Sequence, residues 1–304
     1  MKKLLATSVV RGSQQGESHG GVYLVDFDKE SSACLLDWNT ADIDWQGRGW
    51  DRGLRGIAFD DDNVFIAASD ELFVYSPDFK LLESYRNPYL KHAHEISIHE
   101  RRLYLTSTGF DAILGFDLDN RRFSWGMQIS QFGDGFQGKP FDPSTSEGPS
   151  PSNTLHLNSV AAHKKGLFIA GLKTGAVLVY NGREIVSWVN VPTGVHNARP
   201  HRDGVLFNDT QADRVRFVNP NGELSFEVPA CAPELLIHAD LDDSALARTG
   251  FGRGLCALDN SLLAAGSSPS TIALHDLDSL KTVHTVILSY DVRNAIHGLE
   301  VWPY

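Results

Sequence analysis

The chain is poor in cysteine and in net positive charge, and each shortage excludes something. Its three cysteines, Cys34, Cys231 and Cys256, are odd in number and widely separated. That spacing fits neither a disulfide framework nor a zinc site, so they read as buried free thiols of a reducing cytosol. No stretch approaches the roughly 20 apolar residues of a membrane span. The opening "MKKLLATSVVRG" imitates a secretory leader, but Thr7, Ser8 and Arg11 break its apolar run, and it reads as a strand. Lys and Arg number 27 against 38 Asp and Glu, a net charge of −11. Such a balance argues against a nucleic-acid groove or an anionic membrane as the main partner. GxSxG, P-loop, HExxH and CxxC motifs are all missing, and "GFGRG" at 250–254 lacks a strand–loop–helix setting. Helical periodicity is nearly absent as well, which excludes a helix bundle.

What is present is a repeat. Apolar residues make up 42% of the chain and charged residues 21%, enough for a sizeable core and too little charge for disorder. Five segments share one pattern, starting at Arg55, His94, Asn158, His196 and Arg253. Each runs from a short strand through a polar turn into a second strand like "LFIAG". A third like "LFVYS" and a weaker fourth follow. The first apolar residue of strand two comes seven residues after that of strand one every time: Ile57 to Val64, Ile96 to Leu103, Val160 to Leu167, Ala198 to Val205 and Leu255 to Leu262. Four antiparallel strands in about 40 residues form the unit of a β-propeller blade. The C-terminal "NAIHGLEVWPY" supplies a lone first strand, and the N-terminus supplies strands two to four. Joined, they predict a six-bladed all-β propeller over residues 1–304, its ring closed by strands from both ends. Long connections at about 125–155 and 231–252 join fourth strands to the next first strands, on the face where first strands begin. The first carries Phe132, Phe136 and Phe141 and is the candidate surface for a protein partner; the second suggests a short helix at "DLDDSALA".

Aligning the blades brings one polar residue from each to the same register, two before the anchoring apolar residue. These are Arg55, His94, Asn158, His196, Arg253 and His297. First strands line a propeller's channel, so the six are expected at its mouth. On six evenly spaced blades the alternate histidines stand about 120° apart. His94, His196 and His297 are thus candidate ligands of a divalent transition metal with open positions. Arg55 and Arg253 offer guanidinium forks to a small anionic ligand, with Asn158 and Asn197 as further binding groups. Glu95 and His92 are candidate proton carriers. The next register, Gly56, Glu95, Ser159, Asn197, Gly254 and Gly298, is small or polar, which permits close approach of a ligand or of backbone. Three readings stand together: a metal site, a metal-free ligand site and a hydrogen-bonded structural plug. His156 sits two positions behind Asn158, His19 reads as part of a solvated loop, and His99, His163 and His201 as surface turns.

At "HAHEISIHERRLYLTST", "LHLNSVAA", "GVHNARPHRDGVLFNDT", "GFGRGL" and "IHGLEVWP" the chain resembles a family of bacterial six-bladed propellers known only as conserved proteins of unknown function. The resemblance covers roughly residues 50–304 and touches His94, Glu95, His156, Asn158, His196, Arg199, Arg253, His297 and Glu300. It departs at Asn197-Ala198, where the family tends to have Ser-Pro, and the N-terminal blade shows no clear motif. It implies the fold and a polar mouth, and names no reaction. The polar ring itself makes metal-assisted lyase or hydrolase chemistry on a small anionic metabolite or sugar acid the leading expectation, beside a non-catalytic binding propeller.

Overall fold

Strands built from the repeat dominate the computed structural model, which describes residues 2–14, 16–39, 53–241 and 248–304. Three strands open the chain: β1 (Leu4–Val10), β2 (Gly21–Asp26) and β3 (Ser31–Asp37). Then come β4 (Ile57–Asp60), β5 (Asn63–Ala68), β6 (Glu71–Tyr75) and β7 (Leu81–Arg86). The next group is β8 (Ile96–His99), β9 (Arg102–Ser107), β10 (Ala112–Asp117), β11 (Arg122–Phe132) and β12 (Gly135–Phe141). After it run β13 (Leu157–His163), β14 (Gly166–Gly171), β15 (Ala176–Tyr180) and β16 (Ile185–Asn190). They are followed by β17 (Val195–His201), β18 (Gly204–Asp209), β19 (Arg214–Asn219) and β20 (Gly222–Glu227). Last are β21 (Leu255–Ala257), β22 (Leu262–Ser267), β23 (Thr271–Asp276), β24 (Lys281–Ile287) and β25 (Asn294–Val301).

Each group is one antiparallel sheet, and β25 joins the first group in the order β25-β1-β2-β3. The six sheets are the blades of a six-bladed β-propeller. "KLLATSVV" is a strand as expected, with β1 paired to β2 on one side and β25 on the other. No described helix is long and apolar enough to cross a membrane. Contacts group the chain into two compact units, Met1–Arg55 with Asn208–Tyr304, and Gly56–Phe207.

Strand position explains strand composition. Inner strands such as β5 and β6 are buried on nearly every residue, whereas the outermost β3, β7 and β24 are largely exposed. In Gly56–Phe207 the core joins Phe65, Leu72 and Val74 of one blade to Leu103, Leu105 and Phe116 of the next. In the other unit Leu4, Val25 and Phe27 pack with Ile272, Leu274 and Ile296. Each such fully buried side chain contributes about 1.5–3 kcal/mol.

Two sequence expectations change here. Residues 125–155 are mostly not a loop, because β11 continues to Phe132 and turns back as β12, a fifth strand. The turn is the two-residue Gly133-Asp134, with Gly133 at φ 57°, the conformation that tight hairpins require. Phe141 packs edge-on against Tyr89 and Phe136 joins the core, leaving Phe132 exposed. What remains of the connection is tied down. The Asp111 carboxylate collects the backbone N–H of Thr154 and Leu155 and the Ser152 hydroxyl at 2.6, 3.1 and 2.8 Å. The cysteines are not uniformly buried either. Cys256 is, Cys231 is half-buried and Cys34 on an outermost strand is exposed. The helix expected at "DLDDSALA" lies for the most part outside the described residues.

Candidate functional site

The six aligned entrance residues divide evenly between the two units. His94, Asn158 and His196 belong to Gly56–Phe207, and Arg55, Arg253 and His297 to the other.

In the first, His94 stands just before β8, its backbone N–H donating to Thr106 Oγ1 at 2.9 Å and its carbonyl accepting from Gly56 at 2.9 Å. Its Nδ1 lies 2.8 Å from the His92 carbonyl and 3.0 Å from Thr108 Oγ1. A carbonyl only accepts, so in the neutral ring the proton sits on Nδ1 and Nε2 keeps its lone pair. His156 stands edge-on to His94 with ring centroids 5.6 Å apart, and His196 lies tilted at 6.3 Å. His92 thus acts on this cluster through its carbonyl. The backbones of His92, His156 and Asn197 all have positive φ, of 54°, 53° and 55°. Side chains there carry strain that the surrounding entrances must hold in place.

Glu95 and Asn197, which share the second register, are hydrogen-bonded, and Arg199 joins them. Glu95 Oε1 accepts from Asn197 Nδ2 at 3.0 Å and from Arg199 Nη2 at 3.3 Å. Asn158 plays a different part. It donates from Nδ2 to the Val195 carbonyl at 2.9 Å, and its Oδ1 accepts from Ser159 at 2.9 Å. Those bonds fasten β13 to the start of the next blade.

In the other unit, Arg253 donates from Nη1 to His297 Nε2 at 3.2 Å. A guanidinium has no acceptor, so the Nε2 lone pair of His297 is engaged by an arginine. Arg55 is buried, and its carbonyl accepts from the Thr7 hydroxyl. At the next register the small residues serve backbone. A Cβ on Gly56 would lie 2.6 Å from the Ile96 nitrogen, and one on Gly298 would lie 2.2 Å from the Arg55 carbonyl oxygen.

Of the three histidines expected to hold a metal, His94 and His196 lie in Gly56–Phe207 and His297 in the other unit. Two imidazoles on one tetrahedral ion place their centroids about 5 Å apart, given metal–nitrogen bonds of about 2 Å. His94 and His196 are wider than that, and His297 already accepts from Arg253. Among the described residues, no group of three or more His, Cys, Asp or Glu is placed to hold an ion.

His19 was expected in a solvated loop. It is fully buried instead, its Nδ1 2.7 Å from Ser13 Oγ and its backbone N–H on the Trp38 carbonyl at 2.7 Å. Arg11 and Arg248 carry no motif, and they gather with Phe251 of "GFGRG" beside Arg253; all three fall outside the blade register, and only the third dimension unites them.

The fold recurs in solved structures at low identity. U3-55K matches with TM-score 0.51 and 13% identity, over 79% of this chain and 66% of that one, just under two thirds of its length. A catalytically inactive virginiamycin B lyase from Staphylococcus aureus, solved with quinupristin, matches with TM-score 0.50 and 10% identity, over 89% of this chain and 79% of that one. At these identities the likeness is one of fold alone. No family model and no curated protein matches the chain.

Proposed function

We propose that the blade entrances of Gly56–Phe207 form a proton-transfer site for a small anionic molecule, making the protein an enzyme of lyase or hydrolase type. The observation that carries this is the tautomer of His94, whose Nδ1–H rests on the His92 carbonyl at 2.8 Å, which makes Nε2 the basic nitrogen of the neutral ring. In the reaction Nε2 takes a proton from substrate carbon or from water, and the imidazolium formed is stabilised by the same carbonyl. His156 and His196 present further imidazole donors beside it to an anionic group. Glu95, held by Asn197 and Arg199, orients this wall of the site. The lyase among the structural neighbours lends the fold and no residue. No step is routed through a metal.

The test follows the proton. Wild-type protein and His94→Gln are incubated in D2O with citrate, glucuronate and other small hydroxy acids, and carbon-bound deuterium is followed by NMR. Exchange that falls at least about 100-fold in the variant supports the base role. Ligand binding without exchange in either protein marks a non-catalytic binding propeller. Nitrogen-15 spectra showing the His94 proton on Nε2 overturn the reading at its root. Metal analysis after purification without a tag, finding a stoichiometric ion lost in His196→Ala, would replace it with the metal-assisted form.

A further inference from the structure

We infer that the unit formed by Met1–Arg55 with Asn208–Tyr304 carries a binding site for a phosphoryl group, built by Arg11, Arg248 and Arg253 around the ring of Phe251. The three guanidinium carbons lie 4.8, 5.6 and 4.4 Å from that one ring centroid. Cation–π attraction holds each to the ring, but three like charges this close repel one another. Two carboxylates near them, among the described residues, are already engaged. Asp213 accepts from Arg248 at 2.7 Å, while Asp291 accepts from Arg293 at 2.9 Å and lies 3.1 Å from His238 Nδ1.

Arg11 is the centre of the imbalance. Its Nη2 reaches Ser268 Oγ at 2.9 Å and the Val292 and Arg248 carbonyls at 3.0 and 3.3 Å, all neutral acceptors. Its Nη1 is buried and has no hydrogen-bond partner among the described residues. Burial first, then repulsion from Arg248, pushes the Arg11 guanidinium down to about 10, with Asp291 acting the other way. A dianion would neutralise this charge and accept from the open donor. A phosphoryl group fits better than a carboxylate, because its three terminal oxygens match several guanidinium forks at once. Arg248 and Phe251 are only half-buried, so the cluster is reachable. The inference rests on this unit alone and not on proton transfer at His94, so either can fail without the other.

Calorimetry on the full chain, with inorganic phosphate and phenyl phosphate against chloride at matched ionic strength, tests it directly. Saturable one-to-one binding is expected, weakened about tenfold in Arg248→Gln. The control Arg214→Gln, at an exposed ion pair with Glu227, should bind as wild type does. Tighter binding of phenyl phosphate assigns the site to an aromatic phosphate monoester stacking at Phe251; equal binding assigns it to free phosphate. No saturation above chloride overturns the site whether or not a variant folds. Succinate binding as tightly as phosphate, or Arg248→Gln binding unchanged, overturns it equally.

Discussion

Glu95 and Arg199 meet at 3.3 Å, Oε1 to Nη2, and the Asn197 amide closes on the same carboxylate oxygen at 3.0 Å. The side chains are only 9% and 22% exposed, so the pair is poorly screened by water. Removing the carboxylate takes an acceptor from a half-buried guanidinium and from an amide donor together. Glu95→Ala should lower the free energy of unfolding by about 3 kcal/mol, in the range for breaking a buried pair. Glu95→Gln, which still accepts from both donors, should cost about 1–2 kcal/mol. Urea denaturation followed by tryptophan fluorescence measures both. An alanine variant within about 0.5 kcal/mol of wild type would show that the pair holds nothing.

Asn158 offers a cleaner separation of structure from binding. Its amide is 1% exposed and bonded at both ends, to Val195 and Ser159. Asn158→Ala leaves a buried carbonyl and a buried hydroxyl short of a partner, at a cost of about 1–3 kcal/mol. Ligand affinity of the folded variant should stay within about twofold of wild type, since the amide faces backbone. Calorimetry beside denaturation checks this, and a large affinity loss at unchanged stability would return Asn158 to the ligand site.

The blade pattern was legible because it repeats. Seven residues between strand anchors is a hairpin constraint, and five copies of one constraint are difficult to misread. The polar entrance register was legible for the same reason. What each polar side chain does there was not, because periodicity specifies a position and not a bonding partner. Asn158 and His196 share a register, yet the first fastens backbone and the second faces another imidazole. His19 sits in a stretch rich in Gly, Ser and Gln, and only the distant Trp38 and nearby Ser13 reveal that it is buried. The fifth strand β12 was hidden in a segment whose Gly, Pro and Ser content signals loop. Gly133-Asp134 was its one hairpin signal, and the eye passes over it among so many breakers.

Gly298 shows how tightly the entrances close. A Cβ there would stand 2.2 Å from the Arg55 carbonyl oxygen and 2.6 Å from Thr7 Oγ1. Neither neighbour is the far end of a flexible side chain, so β25 would have to move. Gly298→Ala should destabilise the protein by about 1–3 kcal/mol through overpacking. Gly135→Ala, whose added methyl would meet nothing closer than 3.9 Å, serves as the comparison and should stay within about 0.5 kcal/mol. Thermal melts of the pair decide it, and equal midpoints would mean that the entrance backbone yields freely.

His275 predicts a pH dependence with a definite sign. It is fully buried on β23, stacked on Phe226 at 4.7 Å, with Nδ1 2.9 Å from Thr282 Oγ1. Burial pushes its imidazole down from 6.5 to about 4, since the charged form would lose its hydration. The folded protein therefore holds the ring neutral where the unfolded chain binds a proton. Between those two values the unfolded state carries the extra proton, so stability rises with pH. The contribution is complete above about pH 6.5 and is lost as pH falls toward about 4, on the order of 3 kcal/mol in all. His275→Phe keeps the stack on Phe226, and the exposed Thr282 hydroxyl turns to water. Urea midpoints measured from pH 4 to 8 should fall less steeply in acid for the variant than for wild type. Parallel curves would mean that His275 gains its proton without cost, and that burial at this position does not govern the acid limb.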